Sequence, residues 1–132
     1  MIKALNEVEV ITLFVEDLAA AQAFYTGVFG LEVVYQDDAS AIVRLGPIMI
    51  NLLRREQAPG LVEPATVASS GSGVRALFTI RVTDVDGVCA ELERHGVHLL
   101  NGPADRPWGR RTAAFADLDG NVWEVAQILQ GS

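Results

Sequence analysis

Glu124 is the residue whose setting in this sequence most clearly indicates chemistry. It ends the stretch Asp117-Leu-Asp-Gly-Asn-Val-Trp-Glu124. Asp119, Gly120 and Asn121 tolerate the positive backbone φ that a hairpin turn requires, and the valine and tryptophan that follow favour a strand. The pattern therefore predicts a hairpin whose final strand holds one carboxylate at a fixed place. Glu124 is the candidate catalytic residue, as a general acid or base if a dry surrounding raises its pKa.

The other chemically active side chains have simpler interpretations. His95 and His98 lie in Glu-Arg-His-Gly-Val-His near a predicted helix end, where a cation favours the helix dipole. Cys89 lies among predicted core positions of the same helix and is expected to behave as a small buried hydrophobe. No glycine-rich phosphate loop follows a strand, and no serine, histidine and acid order can be assembled. These nucleophilic and phosphate chemistries are not expected.

Composition limits the class of protein and of partner. The 132 residues are 50% hydrophobic, which suits a single domain with its own core. The formal net charge is -7 with scattered lysine and arginine, so we expect no nucleic-acid partner. No apolar run approaches a membrane span, and we expect no membrane partner. A lone cysteine and a start without secretion-signal features favour the cytoplasm. Small-molecule ligands are the expected partners.

The positioning elements occur in two copies of one plan. In the first copy, Asp17 caps a helix that ends near Gly30, with Leu18, Ala21, Tyr25 and Val28 on one stripe. β-Branched and alternating patterns predict strands before and after this helix. The predicted strands are 8–15, 31–35, 39–45 and 48–53.

The second copy has the same order, with Asp84 capping a helix that ends near Gly96 and carries Val85, Val88 and Leu92 on one stripe. Its predicted strands are 76–82, 97–100, 111–116 and 121–128. Between the copies, Arg54–Arg75 is rich in proline, glycine and serine and predicts a mobile linker. We therefore predict one domain over residues 1–132, with a first module at about 6–53, a linker at about 54–75 and a second module at about 76–128.

The paired β-α-β-β-β plan and the final hairpin resemble the vicinal oxygen chelate superfamily, which includes glyoxalases, bleomycin resistance proteins and extradiol dioxygenases. The resemblance covers about residues 8–127, although Leu118 stands where the hairpin pattern usually has proline. It implies an α+β fold in which two curled four-stranded sheets form a cup with the helices outside. It also implies a homodimer, because relatives usually close their open sheet edges by pairing two chains.

Alternation along each strand predicts which side chains enter the cup. In the first module, the inward set is Val10, Thr12, Phe14, Met49, Asn51 and Leu53. In the second module, it is Leu77, Thr79, Arg81, Val122, Glu124 and Ala126.

The resemblance also implies where a divalent metal would bind. Metal-dependent members have ligands at four points, which here carry Val10, Asn51, Leu77 and Glu124. Two of these side chains are aliphatic, and an asparagine amide is an uncommon ligand for zinc, iron or nickel. We therefore expect no metal and no other cofactor. A register slip of the first strand that presents Glu7 or Glu9 in place of Val10 stays open as an alternative.

What remains in the cup resembles the lining of a small-molecule pocket. Trp108 lies in the loop 106–111, where family members often have a related Trp-Gly pattern. A two-residue turn at Gly46-Pro47 places Arg44 opposite Met49 and inside the cup, and Arg111 is expected to share the inward face with Phe115. An anionic ligand with an aromatic or alkyl body would suit these arginines. The predicted ligand-binding set is Val10, Thr12, Phe14, Arg44, Asn51, Leu53, Leu77, Thr79, Arg81, Trp108, Arg111, Phe115 and Glu124.

Three functions fit these features. The first is a metal-free protein that binds an antibiotic or another natural product, as in the bleomycin-resistance branch. The second is a metal-dependent lyase, isomerase or dioxygenase of the same superfamily with displaced ligands. The third is a non-catalytic regulatory or interaction module. The donor-poor cup favours the first.

Overall fold

The computed structural model describes residues 1–130 of the chain. These residues form two compact units, one from Met1 to Ser70 and another from Gly71 onward. Each unit contains one 4-stranded sheet with a helix packed on one face. The predicted α+β class and the predicted β-α-β-β-β plan of each module are confirmed.

The first unit consists of β1 (Val10–Val15), α1 (Leu18–Gly27), β2 (Val33–Gln36), β3 (Ser40–Leu45) and β4 (Ile48–Arg54). The strand order is β1-β4-β3-β2, with β1 parallel to β4 and the other pairs antiparallel. Parallel pairing of the first and last strands requires a crossover, and α1 with β2 and β3 supplies it.

Helix α1 begins where the sequence predicts it to begin. The Asp17 side chain accepts a hydrogen bond from the Ala20 amide at 3.0 Å, which satisfies one amide of the first turn. Its buried stripe packs on β3 and β4, whose helix-facing side chains are almost fully buried. The buried helix residues are Leu18, Ala21, Phe24 and Tyr25, so Phe24 joins the predicted stripe, whereas Val28 is only the C-cap.

The segment after β4 is more ordered than a mobile linker. It contains a 3-10 turn at Arg55–Gln57 and a short helix, α2, at Pro59–Val62. The amide of Ala58 closes the turn on the Arg55 carbonyl at 3.1 Å, and Ala58 is fully buried. The prediction of a mobile linker is therefore wrong around Ala58, because these local hydrogen bonds fold the chain back immediately after the strand.

The second unit consists of β5 (Leu77–Arg81), α3 (Val85–Arg94), β6 (Leu99–Arg106), β7 (Arg110–Ala116) and β8 (Val122–Ile128). Its order, β5-β8-β7-β6, repeats that of the first unit, and β5 is parallel to β8. Asp84 accepts from the Gly87 amide at 3.1 Å and so caps α3 as predicted. Helix α3 packs on β6, β7 and β8.

Strand β6 differs most from its prediction. The sequence predicts only a short strand at 97–100. The strand instead continues to Arg106 through two register shifts in its pairing with β7. Gly102 makes this continuation feasible, since its φ is 87° and a Cβ atom there would lie only 2.5 Å from the Thr112 carbonyl oxygen.

No helix within residues 1–130 combines the length and the apolar character needed to cross a membrane.

Candidate functional site

Most of the candidate site residues lie on the face of each sheet that its helix leaves uncovered, which we call the helix-free face. In the first unit, the register pairs Val10 with Met49, Thr12 with Asn51, and Phe14 with Leu53. Leu13 and Val15 on the opposite face are buried. The predicted alternation of β1 and β4 is therefore confirmed within this unit.

The turn between β3 and β4 places Arg44 as expected. Gly46 and Pro47 form a two-residue connection, and the register sets Leu45 opposite Ile48 and Arg44 opposite Met49. The side chain of Arg44 is exposed, and it forms no ion pair with any residue of the stretch 1–130.

Asn51 is the polar centre of the first helix-free face. Its strand neighbours are Thr12 on β1 and Ile42 on β3. The Oδ1 atom is buried and has no hydrogen-bond partner among the described residues. A buried acceptor without a donor costs about 1–3 kcal/mol, so this atom is a place where a ligand donor would be stabilising.

Glu124 is the polar centre of the second helix-free face. Its strand neighbours are Thr79 on β5 and Ala114 on β7. The Thr79 hydroxyl donates to Glu124 Oε1 at 2.9 Å. This bond uses one of the roughly four lone-pair sites of a carboxylate and fixes its orientation.

The expected inward position of Arg111 is wrong. The register sets Arg111 opposite Gln127, on the face covered by α3. Its Nη2 atom donates to Asp86 Oδ1 at 2.9 Å and its Nη1 atom to Asp105 Oδ1 at 2.9 Å. Hydrogen bonds to Asp105 and Asp86 raise the pKa of this guanidinium above its usual value. Arg111 therefore ties α3 to β6 rather than facing a ligand.

The expected inward position of Phe115 is wrong for the same reason. Antiparallel pairing sets Ala114 opposite Glu124, so Phe115 lies opposite Trp123. Phe115 is only 3% exposed and belongs to the core under the helix. The prediction from sequence places the odd-numbered residues of β7 on the inward face, whereas the structure places the even-numbered residues there. An error of one residue exchanges the two faces of a strand.

The corrected phase reveals two arginines that the sequence reasoning missed. Arg106 and Arg110 are paired across the β6–β7 hairpin, and both share the face of Glu124. Arg106 Nε donates to Thr112 Oγ1 at 2.9 Å, and Nη2 donates to Asn101 Oδ1 at 3.0 Å. Ala114 is opposite Glu124, and every second residue of β7 before it, Thr112 and Arg110, lies on the same face. This alternation is the sequence signal that could have identified the two arginines.

Two predicted apolar contact residues are exposed. Trp108 lies at the tip of the β6–β7 hairpin and is 69% exposed, and Leu77 at the start of β5 is 52% exposed. Large exposed apolar side chains are common at ligand or partner surfaces, although single ones need no functional explanation.

The residues present do not fit a divalent metal. Val10 and Leu77 lack donor atoms, and Glu124 is already held by Thr79. Within the described part of the chain, no group of three or more histidine, cysteine, aspartate or glutamate side chains is placed to hold an ion. The register slip is not observed, since Val10 is opposite Met49, and Glu9 uses its carbonyl to accept from the Met49 amide at 3.0 Å.

The remaining reactive side chains are placed as expected. Cys89 is buried in α3, and burial together with the carboxylates of Asp86 and Glu93 raises the pKa of its thiol. A raised thiol pKa disfavours the nucleophilic thiolate. His95 and His98 are exposed at the end of α3 and just before β6.

A groove of about 330 Å³ lies at the carboxyl ends of β5 and β8, and its walls include Arg81, Thr83 and Ile128. Its size is at the lower end of the range for small-molecule sites. Arg81 is opposite Ala126 and exposed, on the predicted face.

Comparison with known proteins agrees with this architecture. Residues 7–125 match the profile of the Glyoxalase/Bleomycin resistance protein/Dioxygenase superfamily. The protein YraH of Bacillus subtilis (strain 168) is 31% identical over 123 residues, which cover 90% of this chain and 96% of YraH. The metallothiol transferase FosB of Staphylococcus epidermidis is 26% identical over 125 residues, covering 95% of this chain and 84% of FosB.

Solved structures of the same superfamily share the fold. A glyoxalase/bleomycin resistance protein/dioxygenase from Nocardioides superimposes with a TM-score of 0.85 at 22% identity, covering 96% of this chain and 86% of that one. A glyoxalase-related enzyme from Fulvimarina pelagi gives a TM-score of 0.80 at 26% identity, covering 93% and 88%. The resemblance identified from the sequence is confirmed, and the chain belongs to the glyoxalase/bleomycin resistance protein/dioxygenase superfamily.

Proposed function

We propose that this chain is a metal-free small-molecule-binding protein whose ligand is an antibiotic or another natural product. The observation that supports it most directly is the chemistry of Val10 and Leu77. They stand where the family resemblance implies metal ligands, and neither side chain has a lone pair. An ion held by Glu124 and a neutral amide alone would be weakly bound.

The helix-free faces have the mixed composition of ligand sites. The first presents Phe14, Leu53 and Met49 around the unpartnered acceptor of Asn51. The second presents the oriented carboxylate of Glu124. Apolar side chains would supply contact area, and these few polar groups would orient the bound molecule.

Glu124 would act in this proposal as an oriented hydrogen-bond acceptor. The bond from Thr79 leaves acceptor capacity on its carboxylate, and a ligand N–H or O–H group would bind there. On the first helix-free face, Asn51 would likewise accept a ligand donor, since its Oδ1 atom lacks one among the residues described. Each face therefore suits a ligand group that donates a hydrogen bond from an apolar body.

A second candidate function is a metal-dependent enzyme, and similarity to FosB supports it. FosB is named as a metallothiol transferase, and 26% identity extends over 95% of this chain. Glu124 would then be the catalytic carboxylate. Removal of metal with a chelator distinguishes the two candidate functions. A metal-dependent enzyme would lose ligand binding or activity, whereas a metal-free binding protein would keep its ligand affinity.

We further propose that the protein is a cytoplasmic homodimer. β1 and β5 are outer strands of their sheets, and an outer strand is a natural surface for pairing with another chain. The only cysteine in the sequence has no second cysteine with which to form an internal disulfide, which suits a reducing compartment. Sedimentation over a range of concentrations tests the dimer, and a monomer throughout would contradict it.

A thermal-shift screen with antibiotics and aromatic natural products tests the proposed binding. A true ligand should raise the unfolding midpoint by mass action and should do so equally with and without a chelator. The variants E124Q and N51L should reduce this shift, whereas R94A, an exposed charge change on α3, should not. Stabilisation that disappears in chelator and returns with zinc or nickel would favour the enzyme instead.

A further inference from the structure

Three arginines on the helix-free face of the second sheet remain without acidic partners. Arg81, Arg106 and Arg110 form no ion pair with any residue between 1 and 130. The chain has 17 acidic and 10 basic residues, so acidic partners are not scarce. Arg111, the immediate neighbour on the opposite face, has two. Arg111 is therefore a structural arginine, whereas the three arginines on the face of Glu124 have no ion-pair partner among the described residues.

Arg106 is held in a fixed position. Its Nε donates to the hydroxyl of Thr112, which is 2% exposed, and its Nη2 donates to Asn101. Both acceptors are neutral, so they orient the guanidinium and leave its positive charge uncompensated. A planar guanidinium already fixed in this way loses little entropy when it binds an anion in a bidentate manner.

Arg110 increases the positive potential at the same place. It is directly opposite Arg106 in the β6–β7 hairpin. Like charges in opposed positions destabilise a strand pair, and a bound anion relieves this repulsion. Arg110 also lies opposite Ile128, which lines the groove that contains Arg81.

Arg81 lies on the same face, on the opposite edge strand, β5. Its register neighbour is Ala126, whose other neighbour is Thr112, so Arg81 lies two strands from Thr112, at about 10 Å between Cα atoms. An arginine side chain is long enough to extend over the small Ala126 toward Thr112, whose hydroxyl Arg106 contacts. Thr112 and Ala126 are each 2% exposed, so they form a covered floor beneath the guanidinium groups.

We propose that Arg81, Arg106 and Arg110 form an oxyanion site that binds a carboxylate or phosphate group of the ligand. This inference deepens the proposed small-molecule binding and rests on it for its role. It differs from the arginine set expected from the sequence, because Arg111 is excluded and Arg106 and Arg110 are added. Glu124 lies on the same face, two residues before Ala126 on β8, so an amine or hydroxyl of the same molecule would find its acceptor beside the arginines.

The test uses NMR of the arginine Nε–H groups during titration with inorganic phosphate, benzoate and phenylphosphonate, with benzamide as the neutral comparison. The signals of Arg81, Arg106 and Arg110 should move with each anion and not with benzamide. The signal of Arg94, which is 68% exposed in its side chain, should not move. Binding should weaken as NaCl is raised, because charge interactions at a partly exposed site are screened.

Arginine variants test whether anion binding occurs at these three residues. R110A and R81A should each weaken anion binding about tenfold, and the surface variant R94A should leave it unchanged. R106Q is included because loss of the Thr112 contact in R106A could disturb the hairpin. Anion-induced shifts that are equal at Arg94 and at Arg110, or no shift at the three arginines with any anion, would overturn the inference.

The outcomes separate this inference from the proposed function. Phosphate binding at the three arginines, with no hit in the natural-product screen, would support the oxyanion site and contradict the proposed ligand class. A neutral natural product that binds with the same affinity to R110A and R81A would support the function and overturn the oxyanion site.

Discussion

Thr79 and Glu124 form a hydrogen-bonded pair at 2.9 Å, and the internal repeat places Thr12 and Asn51 in the equivalent pair of the first unit. Both threonines lie on the first strand of a unit, and both partners lie directly opposite on the last strand. The acceptor of Glu124 is satisfied, whereas Asn51 Oδ1 has no donor within the described residues. The second unit therefore has a carboxylate oriented by a hydrogen bond, and the first unit has an amide oxygen without a donor among the described residues.

The first prediction concerns Asn51. The variant N51L should raise the free energy of unfolding by about 1 kcal/mol, because it removes a buried acceptor that lacks a donor. The same change should weaken binding of any ligand that donates a hydrogen bond to Asn51. Chemical denaturation of parent and variant measures the first effect, and calorimetric titration measures the second.

N101L is the matched control, because Asn101 Oδ1 already accepts from Arg106 at 3.0 Å. That change should lower stability, since it leaves an arginine donor without its partner. A loss of stability in N51L as large as that in N101L would show that the Asn51 amide is satisfied in solution.

The second prediction concerns Arg111. R111A should lower the thermal unfolding midpoint, because it removes the contacts that join Asp86 on α3 to Asp105 on β6. The difference between variant and parent should narrow in 1 M NaCl, where salt screens these partly exposed pairs. R94A, whose contact with Glu91 is long at 4.0 Å, should be nearly unchanged. Equal midpoints of R111A and parent at low salt would refute the structural role.

The third prediction concerns acid stability and Asp37. The Tyr35 hydroxyl donates to Asp37 Oδ2 at 2.7 Å, and the amides of Ala39 and Ser40 donate to Oδ1 at 2.8 Å. These bonds, with that of Tyr35 contributing most, lower the pKa of Asp37 from 3.8 to about 2. The ionised group therefore contributes stability that is complete above about pH 4 and is lost as the pH falls toward 2.

D37N should flatten the dependence of stability on pH between about 4 and 2, because the asparagine oxygen can still accept from the Ala39 and Ser40 amides and the side chain does not titrate there. Urea denaturation at a series of pH values measures this slope. D38N, at the adjacent exposed carboxylate, is the control and should keep the parental slope. A parental slope in D37N would mean that other carboxylates control unfolding in this range.

The sequence predicted the first unit more accurately than the second, and the reason is local. The two-residue turn at Gly46-Pro47 fixes the register of β3 on β4, so the positions of Arg44 and Asn51 followed from alternation alone. In the second unit, the three-residue connection after Arg106 and the register shifts in β6 prevent the same prediction, because the pairing of β6 with β7 no longer follows from turn length and alternation. A phase error of one residue then placed Arg111 and Phe115 on the wrong face.

Two features of the candidate site depend on packing that a sequence pattern does not contain. The unsatisfied state of Asn51 depends on atomic contacts around one oxygen. The fixed position of Arg106 depends on Thr112 being buried beside it, and this follows only from the corrected phase of β7. The caps at Asp17 and Asp84, in contrast, were predictable because they depend on residues three positions apart.

The metal content of the purified protein tests the central claim most directly. Protein purified without a chelator should contain well under one equivalent of zinc, nickel, iron, manganese or copper by elemental analysis, because Val10 and Leu77 supply no donor atoms. E124Q should give the same low value. One equivalent of a transition metal in the parent protein, lost in E124Q, would contradict the account.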